Sequence, residues 1–172
     1  YEAKGQGRNR YSFFEPAMGR ATARRLSLET ELRQAVEGQQ FELYYQPQVD
    51  VRSGAFVGVE ALLRWKHPGR GMLSPGEFIG VAEETGLVAR LGEEVLRQAA
   101  RFSVAQRARR GRPFRVRVNV SAVQLRRGDV DRAVSDALAA TGCPPEGLAI
   151  EVTETAVIHD TEAATAQLQR VR

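Results

Sequence analysis

Three oxygen-bearing side chains sit at matching places in this chain: Glu60, Asn119 and Glu151. Each follows an apolar, strand-like run: Phe56-Val57-Gly58-Val59, Val116-Arg117-Val118 and Leu148-Ala149-Ile150. Each run is expected to end there, before a turn and a helical pattern. In sheets built from βα units, active sites assemble at that end of the strands. Hard oxygen donors converging there suit Mg²⁺ or Mn²⁺ better than zinc. Side chains two apart share a strand face, so Glu60, Leu62 and Arg64 point together. A metal-binding carboxylate and a phosphate-gripping guanidinium on one face suit phosphoester chemistry. By the same parity Asn119 stands with Ser121, and Glu151 with Thr153, while Val116, Val118, Val120, Ile150 and Val152 face the other way. Buried carboxylates need a counter-charge. Arg117 has the parity of Asn119, so a structural ion pair with Glu60 or Glu151 stands beside the metal reading, and spacing alone does not separate them.

The elements that must position these residues alternate strand and helix from Phe41 onward. Phe41 to Val49 reads as a strand, Ser53-Gly54 as a turn and Phe56 to Arg64 as a second strand, which makes a hairpin. Ser74-Pro75-Gly76-Glu77 is a helix start with a capping Ser, Pro at the first position and Glu closing the capping box. That helix carries Phe78, Ile79 and Ala82 and stops near Gly86. A longer one follows, with apolar residues at 88, 91, 95, 99 and 102. Residues 114–121 read as a strand, and Val130, Val134 and Leu138 mark a helix closed by Gly142 and Pro144-Pro145. Leu148 to Thr153 is the fourth strand, and a last helix follows Asp160. Upstream, Pro16 breaks the chain. A helix then carries Leu28, Leu32 and Val36, with Ser27 expected as its N-cap and Gly38 as its end. It reads as a linker, residues 16–40, after a basic, glycine-bearing stretch and the short aromatic strand Tyr11-Ser12-Phe13-Phe14. The fold class expected is α/β.

Composition narrows the setting. The 172 residues are 42% hydrophobic and 27% charged, ordinary for a soluble domain. The lone Cys143 forms no internal disulfide, so a cytoplasmic location is expected. No apolar run approaches the roughly 18 residues of a membrane span, so no membrane contact is expected within this segment. Net charge is +4, with basic residues scattered among acidic ones. The cluster from Arg107 to Arg112 lies at a helix end, where cations favour the dipole, so no DNA partner is expected.

Five blocks carry a family resemblance: Tyr45-Gln46-Pro47-Gln48-Val49, Glu60 to Trp65, Leu73 to Ile79, Asn119 to Leu125, and Glu151-Val152-Thr153-Glu154. In this order and approximate spacing, residues 41–172 resemble the EAL domain, the family of bacterial cyclic di-GMP phosphodiesterases. Residues 1–15, especially Gly7-Arg8-Asn9-Arg10-Tyr11, are similar to the C-terminal end of a GGDEF (diguanylate cyclase) domain. The resemblance implies a (β/α)8 TIM-like barrel with an antiparallel first strand. It implies hydrolysis of cyclic di-GMP to linear pGpG with two Mg²⁺ or Mn²⁺ ions. Glu60, Asn119 and Glu151 match the family's metal ligands, Arg64 the residue on the substrate phosphate, and Gln46 a substrate-side polar residue. Glu154 matches a glutamate that steadies a loop over the site and supports activation in a homodimer, so Glu60 and Glu154 form the expected catalytic pair. Gly80 stands where the family usually has proline.

The family's later strands carry an Asp-Asp pair, a lysine, another glutamate and a glutamine, none of which lies in this chain. Residues 41–172 amount to about half of the roughly 250 residues of a complete barrel. A partial barrel, truncated after about four strands and without turnover by itself, is therefore expected. Two functions follow: a phosphodiesterase within a longer polypeptide, or a non-catalytic cyclic di-GMP receptor.

Overall fold

A computed structural model of the chain describes the backbone of residues 16–152 and the side chains of residues 25–152. Helix α1 (Pro16–Glu37) leads into a hairpin of β1 (Phe41–Val49) and β2 (Phe56–His67), followed by the short β3 (Gly71–Leu73). Helices α2 (Pro75–Thr85) and α3 (Val88–Arg110) cross to β4 (Val116–Val120). Helices α4 (Ala122–Arg127) and α5 (Val130–Thr141), then a 3-10 turn at Pro145–Gly147, lead to β5 (Leu148–Val152). The strands lie in the order β1-β2-β4-β5. β1 is antiparallel to β2, whereas β2, β4 and β5 run parallel. On the edge of β2 away from β1, β4 pairs with residues 59–61 and β3 with residues 65–67.

Alternation along the strands divides the sheet into two faces. Val59, Ala61, Val116, Val118, Val120 and Leu148 are buried against Leu96 and Ala99 of α3 and Val134 and Ala137 of α5. Both crossovers thus lay their helices on the same apolar face, the winding of a barrel rather than of a doubly wound sheet. Each valine or leucine among them contributes about 1.5–3 kcal/mol by leaving water. A second cluster joins Leu28, Leu32 and Ala35 of α1 to Phe41, Trp65, Phe78 and Leu91. The C-terminal half of α1 therefore packs into the folded unit.

Local chemistry explains the joints. Ser74 and Glu77 form the expected capping box, Pro75 opens α2, and Gly86 closes it at φ 78°. Gly58 has φ 153°, and a Cβ there would stand 2.6 Å from the Arg115 carbonyl oxygen, the acceptor of the Val59 N–H where β4 comes alongside β2. α1 is clasped to the end of β2. His67 Nδ1 accepts from the N–H groups of Gly69 (3.0 Å) and Arg70 (3.1 Å), which leaves the proton on Nε2 to donate to Glu31 at 3.0 Å. Arg70 also pairs with Glu31 at 3.0 Å. The Ser27 hydroxyl, with His67 and Arg70 behind it, holds the Glu31 carboxyl below its usual value against partial desolvation.

Several expectations are corrected. β2 does not end near Glu60 or Arg64: it continues to His67, because β1 and β3 supply partners along its length. Ser27 is no N-cap; it sits inside α1, and its hydroxyl donates to Glu31 at 2.7 Å. Gly38 directly follows the last residue of α1, as expected, and the left-handed conformation falls on Gln39 at φ 52°. The strand expected over 114–121 covers only Val116–Val120. The aromatic strand near the N-terminus, Thr153 and the helix after Asp160 lie outside the described residues.

Candidate functional site

The sheet face opposite the helices carries the polar residues. Cross-strand partners alternate in step, so Gln46 stands opposite Glu60 on β2, Glu60 opposite Arg117 on β4, and Asn119 opposite Glu151 on β5. Asn119 Nδ2 donates to Glu60 Oε1 at 2.7 Å. The three candidate ligands are thereby gathered: Asn119 touches Glu60 and shares a rung with Glu151. β4 enables this by ending at Val120, after which Ser121 caps α4 and accepts the Gln124 N–H at 3.4 Å. Gln46 and Asn119 are exposed and Glu60, Arg64 and Glu151 half-buried.

The ion-pair reading also holds a place in the geometry. Arg117 Nε lies 3.3 Å from Glu151 Oε1, and the other end of the guanidinium donates to Gln48 Oε1 on β1. Gln48 was not singled out from the sequence, although it lies two residues beyond Gln46 and so on the same face. Arg64 shares the face of Glu60 by parity but turns toward β1. Its Nη1 donates to the Leu63 carbonyl at 2.8 Å, and its guanidinium carbon lies 5.8 Å from the centre of the Tyr44 ring. The structure therefore does not bring Arg64 to the Glu60–Asn119–Glu151 group. Glu154 lies outside the described residues. Trp65 and His67 are packing and turn residues: Trp65 is fully buried, its indole N–H donating to Gln40 Oε1 at 3.1 Å.

The donor set can be tested against a metal. Among the described residues no three His, Cys, Asp or Glu side chains gather around a common point. The group is instead two carboxylates and one amide, all hard oxygen donors, and a half-turn of the Asn119 amide exchanges its NH₂ for its oxygen. Two carboxylates on the strands that flank β4, one hydrogen-bonded to the Asn119 amide and the other on its rung, fit a dication of the Mg²⁺ or Mn²⁺ type. Fewer than six protein ligands leaves coordination positions for water and phosphate oxygens.

Residues 29–172 match the family described as EAL domain. The chain is 40% identical over 171 residues to the bifunctional diguanylate cyclase/cyclic di-GMP phosphodiesterase MucR of Pseudomonas aeruginosa, covering 99% of this chain and 25% of MucR. It thus spans about a quarter of that relative's length. A solved PaMucR phosphodiesterase in a c-di-GMP complex superposes with TM-score 0.77 at 38% identity, over 84% of this chain and 59% of that one. The Xanthomonas citri FimX EAL domain in complex with c-diGMP gives TM-score 0.75 at 27% identity, over 88% of this chain and 58% of that one.

Proposed function

The chain belongs to the EAL domain family, and on that premise we propose that it forms part of a metal-dependent phosphodiesterase that hydrolyses cyclic di-GMP to linear pGpG. The observation that carries this reading is the contact of Asn119 with Glu60, with Glu151 on the next strand at the same rung. Glu60, Asn119 and Glu151 would hold Mg²⁺ or Mn²⁺, two ions in the complete domain. Such ions, when bound, make water a better nucleophile near neutral pH and neutralise charge on phosphoryl oxygens. The chain's own residues do the rest of what this face offers. The Arg64 guanidinium, released from the Leu63 carbonyl, is suited to a bidentate grip on a phosphate. Gln46, opposite Glu60, is an exposed group able to hydrogen-bond a substrate bound on this face. Glu154, outside the described residues, is assigned from the family resemblance the role of steadying a loop and supporting activation in a homodimer.

Residues 41–172 are assigned to the N-terminal half of the EAL domain and residues 16–40 to a linker whose second half packs on it. Residues 1–15 are assigned to the end of a GGDEF domain, a reading supported by the match along 99% of the chain to a bifunctional relative. A cytoplasmic location is part of the proposal; no helix among the described residues is long and apolar enough to cross a membrane.

One observation favours the receptor reading: Glu151 is paired with Arg117, an arrangement that needs no metal. Both readings meet one experiment on the polypeptide that carries this chain with its natural continuation. Mg²⁺-dependent conversion of cyclic di-GMP to pGpG is expected, falling at least about a hundredfold in Glu60→Gln with an unchanged circular dichroism spectrum. Cyclic di-GMP binding without hydrolysis would favour the receptor, and unchanged turnover in Glu60→Gln would remove that carboxylate from the mechanism.

A further inference from the structure

Arg117 is held in an unusual way for a strand residue. From β4 its guanidinium reaches over β2 to Gln48 on β1, while its Nε faces Glu151 on β5. The path over β2 is open because Gln48 stands opposite Gly58, which has no side chain to block it. Arg117 also stands opposite Glu60 in the β2–β4 ladder. With 23% of its side chain exposed, it is more protected than Glu151 at 36%. Arg64, the other arginine of this face on β2, is turned toward Tyr44 and the Leu63 carbonyl. One cation therefore holds Glu151 from the strand between the two carboxylates that would serve as ligands, its far side fixed by Gln48.

We propose that Arg117 is the built-in counter-cation of the Glu60–Asn119–Glu151 site: it holds Glu151 while no metal is bound and competes with the divalent cation for that carboxylate. The proposal rests on the metal-site reading of these three residues. A dication and a guanidinium cannot both take the same carboxylate oxygen, and they repel each other across a few ångströms. Metal entry at Glu151 therefore works against the Arg117 pair through that repulsion. The fixed arm of Arg117 then does two things: it keeps the site in shape when empty, and it raises the cation concentration at which the site fills. A purely structural Arg117 would change folding stability without tightening metal binding.

The test is Mn²⁺ binding without nucleotide, followed by calorimetry and by the electron paramagnetic resonance of free Mn²⁺, on the polypeptide that carries this chain with its natural continuation. Arg117→Gln and Arg117→Ala are expected to bind Mn²⁺ roughly fivefold more tightly than wild type, the scale of a partly exposed ion pair. Arg117→Lys, which keeps the charge, is expected within about twofold of wild type on the same grounds. If the neutral variants do not fold, Gln48→Ala frees the far end of the guanidinium and is expected to tighten binding about twofold. Equal or weaker Mn²⁺ binding by the folded neutral variants, or by Gln48→Ala in their place, overturns the counter-cation proposal while leaving the metal site intact. Absence of Mn²⁺ binding by wild type and Glu60→Gln alike overturns the metal reading, and this proposal with it.

Discussion

Tyr45 lies on the helix-facing side of β1, its ring stacked on Phe102 with centroids 3.7 Å apart. Burial pushes its phenol up to about 12. An unfolded tyrosine titrates near 10, so above that pH the unfolded state loses the proton first. Stability linked to this group is therefore complete below about pH 10 and declines as pH rises toward about 12. Thermal melts are expected to show that alkaline decline in wild type and a shallower one in Tyr45→Phe; identical profiles would contradict it. Residue by residue, the sequence was most legible where strand parity alone decides. Glu60, Asn119 and Glu151 do share one face, because a period of two within each strand needs no tertiary information, whereas Gln46 was named from the family resemblance alone. Arg64 shows the limit. Parity gave its face, but the direction of its guanidinium depends on Tyr44, which only the register of β1 against β2 brings beneath it.

Elements joined by turn chemistry were legible, and those made by pairing were not. The capping box of α2 and the left-handed glycines after α2 and α5 follow from local residues. Helix α4 also left a local signal, Ser121 with Gln124 three residues on, which was not read as a helix start. β3 has three residues and no pattern of its own; it exists because the edge of β2 beyond β4 is free to pair. The same dependence on neighbours sets the demand at Gly58. Gly58→Ala would drive a methyl into the Arg115 carbonyl and force a φ that side chains avoid. A loss of about 2 kcal/mol or more is expected in chemical denaturation, and a change below about 0.5 kcal/mol would show that the strands can part there at little cost.

At the scale of the molecule, one sheet face is packed and the other is left polar and open among the described residues. The three proposed oxygen ligands on that open face offer a place for a cation, but an in-line attack on a phosphodiester also needs groups that orient water from the opposite side. The 172-residue polypeptide by itself is therefore expected to yield no pGpG from cyclic di-GMP under Mg²⁺ or Mn²⁺, as followed by chromatography. Release above that of buffer would show that this half suffices. Because β1 runs against β2, β4 and β5, its first residue, Phe41, lies beside Trp65, beyond Glu60 in the direction the parallel strands run. Helix α1 thus delivers the chain to the same rim that bears the acidic group, and its Glu31 is tied there through His67 and Arg70. A twist or tug on that helix from anything attached ahead of it acts on the mouth of the site through a few residues of β2, as a short lever acts on the jaw it is hinged to.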